Sequence, residues 1–548
     1  MSAGRCGESG VIAAAVVLFL AAHAGHAEIT AGNVYELLEM GEMNYSVNVR
    51  PARIDWSGTE RAPARRISEL EQALRTQPGD PALRLELIEL YGRTGRAARA
   101  VELARDGLEG ARGRYEARPD ERSALLYARM CAAADCGGDE RDVAYQALRP
   151  FLETGTARVE TCIAAVDNRM SGNDYALARR LVDFYLDVYP LNAELHFRRY
   201  LISLSANIQS MVWTVVRRSA DAFLQDSDAG RITGENIEVF LGIYLGRLEK
   251  AIDTASLDEA RRLDPGNYEY NLTYAVHRSL VHFFSTVLVG RVAPSMTREA
   301  IESSLTRVNM EEMPRILDAL ERADRLRPPR DIQIHLAYAF YHFAFGHYGQ
   351  IERYARTAVR TRPDLPEGYD ALILGLYSPV FQGGELDLLE VNRTVAEVIH
   401  EKIDRTGEDP YDYYVLAGLS YTNYGELPPE RRPDALATMR MYLEDSLRVR
   451  PDYLPARVGM ANHMILSGRE ERAADLLQTL REARDEGWRA LVLNNLGVAL
   501  GLMGRETEAR RVLEQALELR RDGEKTRRAI RELGGSNRGT GTGNGNGS

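Results

Sequence analysis

Short apolar stripes at helical spacing, each closed by a polar last turn and a proline, recur along most of this chain. Between Ala490 and Arg520, Leu493, Leu496, Gly497 and Leu500 mark one stripe. Gly504 interrupts it, and Ala509, Leu513 and Ala516 mark a second. The preceding stretch repeats the scheme with Met460, Ala461, Met464, Gly468, Ala473 and Leu477. Near the N-terminus it appears as Leu87, Tyr91, Gly95, Ala100 and Ala104, and in the centre as Ala339, Gly346, Ala355 and Ala358. The pattern predicts helix, tight turn, helix, with Gly497 and Ala509 letting two helices approach closely. Prolines at 78, 119, 150, 190, 265, 328, 363 and 451 follow phrases such as ALRTQPGDP, ARRLDPGN and AVRTRPDLP. Proline cannot continue the helical ladder and disfavours helix in the residue before it, so each is a stop signal. Most of their spacings lie near one or two multiples of about 34 residues.

A turn Gly, a close-packing Ala and a terminal Pro at fixed offsets resemble the tetratricopeptide-repeat family, most clearly over 68–110, 330–365 and 410–520. The resemblance implies an all-α fold, a right-handed superhelical solenoid of antiparallel helix pairs. One pair cannot bury both of its stripes, and stacking neighbours does so in a continuous core. Between 190 and 330 the front helices read as long and irregular, so the middle is an irregular helical section. The expected organisation is a signal segment at 1–27, a lead-in at 28–62 with one helical stretch around Asn33 to Glu42, and N-terminal repeats at 63–190. Degenerate or inserted helical repeats follow at 191–330, then C-terminal repeats with a capping helix at 331–535. A Gly-rich tail without apolar content, 536–548, reads as disordered.

In that family the first helix of each pair lines the concave wall. The resemblance therefore places Gln333, Leu336, Phe340 and Phe343 on a groove, with Glu86, Glu89 and Arg93, then Asn462, then Asn494 and Asn495, on the equivalent faces. Aromatic side chains there suit peptide anchoring, and Asn side chains suit hydrogen bonding to an extended backbone. Tyr338, Tyr341 and Phe345, at helical spacing, read as core.

Composition narrows the function. A chain of 548 residues, 45% hydrophobic and 27% charged, is globular in character, and its net charge of −11 argues against nucleic acid as the main partner. Only Lys250, Lys402 and Lys525 are lysines among 69 basic residues. The apolar run VIAAAVVLFLAA, followed by small-residue pairs ending at Ala27, reads as a cleavable secretory signal, too short for a bilayer span. The expected address is periplasmic or secreted, with no membrane span after cleavage. Cys131, Cys136 and Cys162 remain beyond it; Cys131 and Cys136 either bridge locally or stay buried thiols.

Searches for chemistry return little. No lysine follows glycine, so no phosphate-binding loop is present, and HEKID at His400 lacks the second histidine of a zinc-protease helix. The Asp226–Asn236 stretch fails calcium-loop spacing. No catalytic residue, metal or cofactor is expected. The reading is a non-catalytic scaffold binding a protein or peptide in a solenoid groove. The alternative is a transport accessory binding a small apolar ligand in the aromatic centre, 268–348.

Overall fold

The computed structural model describes residues 12–16, 37–38, 40, 45–49, 61–93, 97–154, 157–208, 252–292, 298–328, 330–381, 387–483, 485–520 and 523–535. Two short strands, Ile12–Val16 and Tyr45–Val49, form a two-stranded sheet; every other described element is helical. Apart from Ile12–Val16, the expected signal segment lies outside the described residues, as do 226–236 and the tail 536–548.

The chain divides into two units, Met1–Ala14 with Asn48–His347, and Ala15–Val47 with Tyr348–Ser548. The first contains α1 (Arg61–Thr76), α2 (Pro81–Arg93), α3 (Ala97–Ala117), α4 (Glu121–Ala133), α5 (Gly138–Glu153), α6 (Val159–Ser171), α7 (Tyr175–Val188) and α8 (Ala193–Ile208). It continues with α9 (Thr254–Leu263), α10 (Tyr268–Val292), α11 (Arg298–Leu326) and α12 (Gln333–Ala344). The second contains α13 (Ile351–Thr361), α14 (Pro366–Phe381), α15 (Leu388–Thr406), α16 (Pro410–Glu426), α17 (Arg432–Val449) and α18 (Leu454–Leu466). It ends with α19 (Glu470–Leu480), α20 (Glu486–Leu502), α21 (Glu506–Leu519) and α22 (Glu524–Gly535).

Capping and turn chemistry set these boundaries. Asp120 and Ser123 form a reciprocal capping box at the start of α4, and the Asp409 and Asp485 side chains accept from backbone N–H groups at the starts of α16 and α20. The turn glycines Gly346, Gly468 and Gly504 take positive φ, a region costly for any residue with a Cβ. The LPPERRP stretch forms a short 3-10 turn, Pro429–Arg431, that leads into α17.

Within each unit sequential helices pack on each other, and alternate helices also touch: α2 with α4, α4 with α6, α6 with α8, α10 with α12, and α16 with α18, α18 with α20, α20 with α22. This makes an inner row and an outer row, the arrangement of a tetratricopeptide-like paired-helix array. It explains the two kinds of sequence. In the inner helix α20 every residue from Ala490 to Leu500 is buried, because the helix has neighbours on several sides. Its outer partner α21 buries one stripe, Ala509, Val512, Leu513 and Ala516.

Close approach depends on small residues, as expected at Gly497, where a Cβ would fall 2.5 Å from Leu513 Cγ. At Gly375 the neighbour is main chain: a Cβ would lie 2.9 Å from both Glu352 Cα and Glu352 N. Gly375→Ala should therefore force α13 and α14 apart and destabilise the second unit by about 1–3 kcal/mol. Gly110→Ala, mid-helix with open space around it, should stabilise by about 0.5–1 kcal/mol. Thermal melting of the two variants checks this; equal behaviour would refute the close-contact reading of Gly375.

Candidate functional site

The inner helices α16, α18, α20 and α22 present Tyr421, Asn462, Asn494 and Lys525, one from each. All four meet a short segment from far up the chain. Leu37 and Leu38 of that segment are fully buried among residues of these helices and their partners, with Met40 packed alongside. Asn494 Nδ2 donates to the Leu37 carbonyl at 3.0 Å. Lys525 Nζ, at 2.8 Å, and the Tyr421 hydroxyl, at 3.3 Å, both donate to the Leu38 carbonyl. Asn462 Nδ2 lies 3.4 Å from Met40 Sδ.

These contacts have a local cause. Leu37 is helical and Leu38 is not, and carbonyls where helical structure stops need donors from outside it. The asparagines are held by each other: Asn494 Nδ2 also donates to Asn495 Oδ1 at 3.0 Å, and Asn495 Nδ2 donates to Asn462 Oδ1 at 2.7 Å. A second relay lies nearby, from the Tyr377 hydroxyl to Asn392 Oδ1 and from Asn392 Nδ2 to Asn423 Oδ1, both 2.7 Å.

The structure thus brings Asn462, Asn494 and Asn495 together, all buried. The remaining expected groove residues lie in the first unit. Leu336, Phe340 and Phe343 on α12 are buried, Phe343 tilted against Phe283 with centroids 5.3 Å apart, and Gln333 is buried beside them. Tyr338 and Tyr341 are core, and Phe345 stacks on His282 at 4.0 Å. On α2, Glu86 pairs with Arg66 at 2.7 Å and Glu89 is exposed; the Arg93 side chain lies outside the described residues. Tyr421 and Lys525 were not anticipated. The scarcity of lysine was the available signal for Lys525.

The ionisable groups most displaced from their ordinary behaviour are tied into packing. Lys402 lies between Asp370 (2.9 Å) and Asp412 (2.7 Å). Burial pushes Asp370 up to about 6 and raises Asp412, while the two carboxylates hold Lys402 above its usual value against the opposing effect of burial. Burial lowers His277 to about 3, so it is neutral. Cys131, Cys136 and Cys162 are free, buried thiols, and burial pushes Cys162 up to about 11. Among the described residues no His, Cys, Asp and Glu side chains group as a metal site would need, and no helix is long and apolar enough to cross a membrane.

No protein-family model matches the sequence, and no curated protein matches it. Among solved structures, TTC0263, a thermophilic TPR protein of Thermus thermophilus, is 21% identical over 37% of this chain and 98% of its own, with a TM-score of 0.29. YrrB, described as a TPR protein with an unusual peptide-binding site, is 15% identical over 37% of this chain and 93% of its own, with a TM-score of 0.26. The Cut9–Hcn1 hetero-tetramer of the APC/C is 14% identical over 87% of this chain and 88% of its own, with a TM-score of 0.31.

Proposed function

We propose that this chain is a non-catalytic interaction scaffold of the bacterial cell envelope, holding a protein or peptide against α16, α18, α20 and α22. One observation carries the reading: side chains from four successive inner helices converge on a single chain segment, three of them through its main-chain carbonyls. Recognition of carbonyls is tolerant of side-chain identity, and the buried leucines supply the apolar contact. The perturbed groups support a binding role over catalysis, since Lys402, Asp370 and Asp412 satisfy one another. The envelope address rests on the signal-like pattern at 1–27.

A photo-crosslinking phenylalanine analogue at Tyr421, in cells, should join a partner protein. The same analogue at Met441, exposed on the outer helix α17, should not. Fractionation should find the chain in the envelope without residues 1–27. Identical crosslinked proteins from both positions, or a cytoplasmic chain retaining those residues, would overturn the proposal.

A further inference from the structure

The segment seated on the inner helices belongs to the chain itself, and this says what the site accepts and how it is reached. The geometry points to a resting state in which Leu37, Leu38 and Met40 occupy the inner helices as a built-in ligand. A partner bearing a short acidic segment with two adjacent leucines then enters by displacing it. This rests on the peptide-binding reading above and adds the ligand class and the gate.

Three observations support it. The contacts are few and modular: two adjacent leucines, two carbonyls and one thioether. None depends on the segment being continuous with the helices that hold it, so a separate chain carrying the same pattern meets the same donors. The sequence charges have opposite sign: Glu36, Glu39 and Glu42 flank the leucine pair, while α22, which reaches it through Lys525, has four basic residues against Glu524 and Glu532, one of them, Arg528, paired with Glu532. Finally, a segment of the same chain competes intramolecularly, at an effective concentration that does not fall when the protein is dilute. That suppresses weak ligands and admits those with additional anchors.

The test uses a fluorescein-labelled peptide of residues 33–44, NVYELLEMGEMN, and anisotropy titrations against the full chain. Leu37→Asp/Leu38→Asp, which unseats the internal segment, should bind the peptide at least ten-fold more tightly than the unaltered chain. Adding Asn494→Ala and Lys525→Ala to that variant should cost ten-fold or more. Equal binding by the unaltered and Leu37→Asp/Leu38→Asp chains, with loss in the quadruple variant, would overturn the gate and leave the peptide site standing. No binding by the unseated variant, with circular dichroism unchanged, would overturn both. Should that variant misfold, hydrogen exchange on the unaltered chain decides: saturating peptide should raise exchange at Leu37–Met40, and unchanged protection overturns displacement. Light scattering should find the unaltered chain monomeric. A dimer that dissociates on Leu37→Asp/Leu38→Asp would place the segment in a second copy and overturn occupation within one chain.

Discussion

Lys402→Met should cost the second unit about 3–5 kcal/mol, because it leaves a buried carboxyl group, Asp412, and a partly buried one, Asp370, without their shared cation. Lys402 joins three helices: it extends from α15 to Asp370 on α14 and Asp412 on α16, and its own side chain is 8% exposed. Methionine matches it in length, so the loss is electrostatic rather than a cavity. The sign of the pH effect follows from the carboxyl groups. Asp370 already titrates near 6, above its ordinary range, and removing the ammonium raises both partners further. A folded-state carboxyl with a raised pKa keeps a proton that the unfolded chain has released, so stability falls as pH rises through that window. The variant should therefore melt far below the unaltered chain at pH 8 and recover part of the difference at pH 5. Adding Asp370→Asn and Asp412→Asn to the Lys402→Met variant should restore much of the loss. Thermal melting by circular dichroism at the two pH values measures this; a pH-independent loss, or one under about 1 kcal/mol, contradicts it.

Arg198→Met should have a comparable effect on the first unit. The guanidinium on α8 forks onto Asp167 of α6, with Nε and Nη2 each 2.9 Å from a separate carboxylate oxygen, and Nη1 reaches Glu194 at 2.9 Å. The fork joins consecutive inner helices, and its loss leaves Asp167 largely shielded from water without its partner, at a cost of about 3–5 kcal/mol. Arg198→Lys should recover little, since a point charge cannot reproduce two parallel hydrogen bonds. Denaturant unfolding of the two variants decides it. Full rescue by lysine would show that charge alone mattered.

The repeats were legible because their determinants are local: a stop proline, a positive-φ turn glycine such as Gly504, and small residues such as Gly497 and Ala509 at helix crossings. The asparagine cluster was legible because α18 and α20 occupy equivalent positions in successive repeats, so Asn462 and Asn495 meet. The occupant of the site was not. Leu37, Leu38 and Met40 form too short a contact to leave a periodic trace, and their partners stand 383 to 487 residues away. Tyr421 was hidden among many tyrosines, and Phe340 and Phe343, expected on a groove, are buried in the structure. Lysine usage was informative in hindsight. In a chain that uses arginine almost throughout, Lys402 stands where one compact ammonium satisfies carboxylates from two different helices, and Lys525 where it reaches the Leu38 carbonyl.

The separation between Leu38 and Lys525 has a consequence for biogenesis. Leu38 is made 487 residues before Lys525, and at roughly 5–20 residues per second this is an interval of about half a minute to a minute and a half. Through most of that time the leucine pair lacks its receptor helices, the first of which, α16, supplies Tyr421 after 383 further residues, and it is open to any chaperone that favours greasy, acidic stretches. The full set of contacts can form only once α22 exists, so Leu37, Leu38 and Met40 seated with Lys525 report that synthesis has passed that helix.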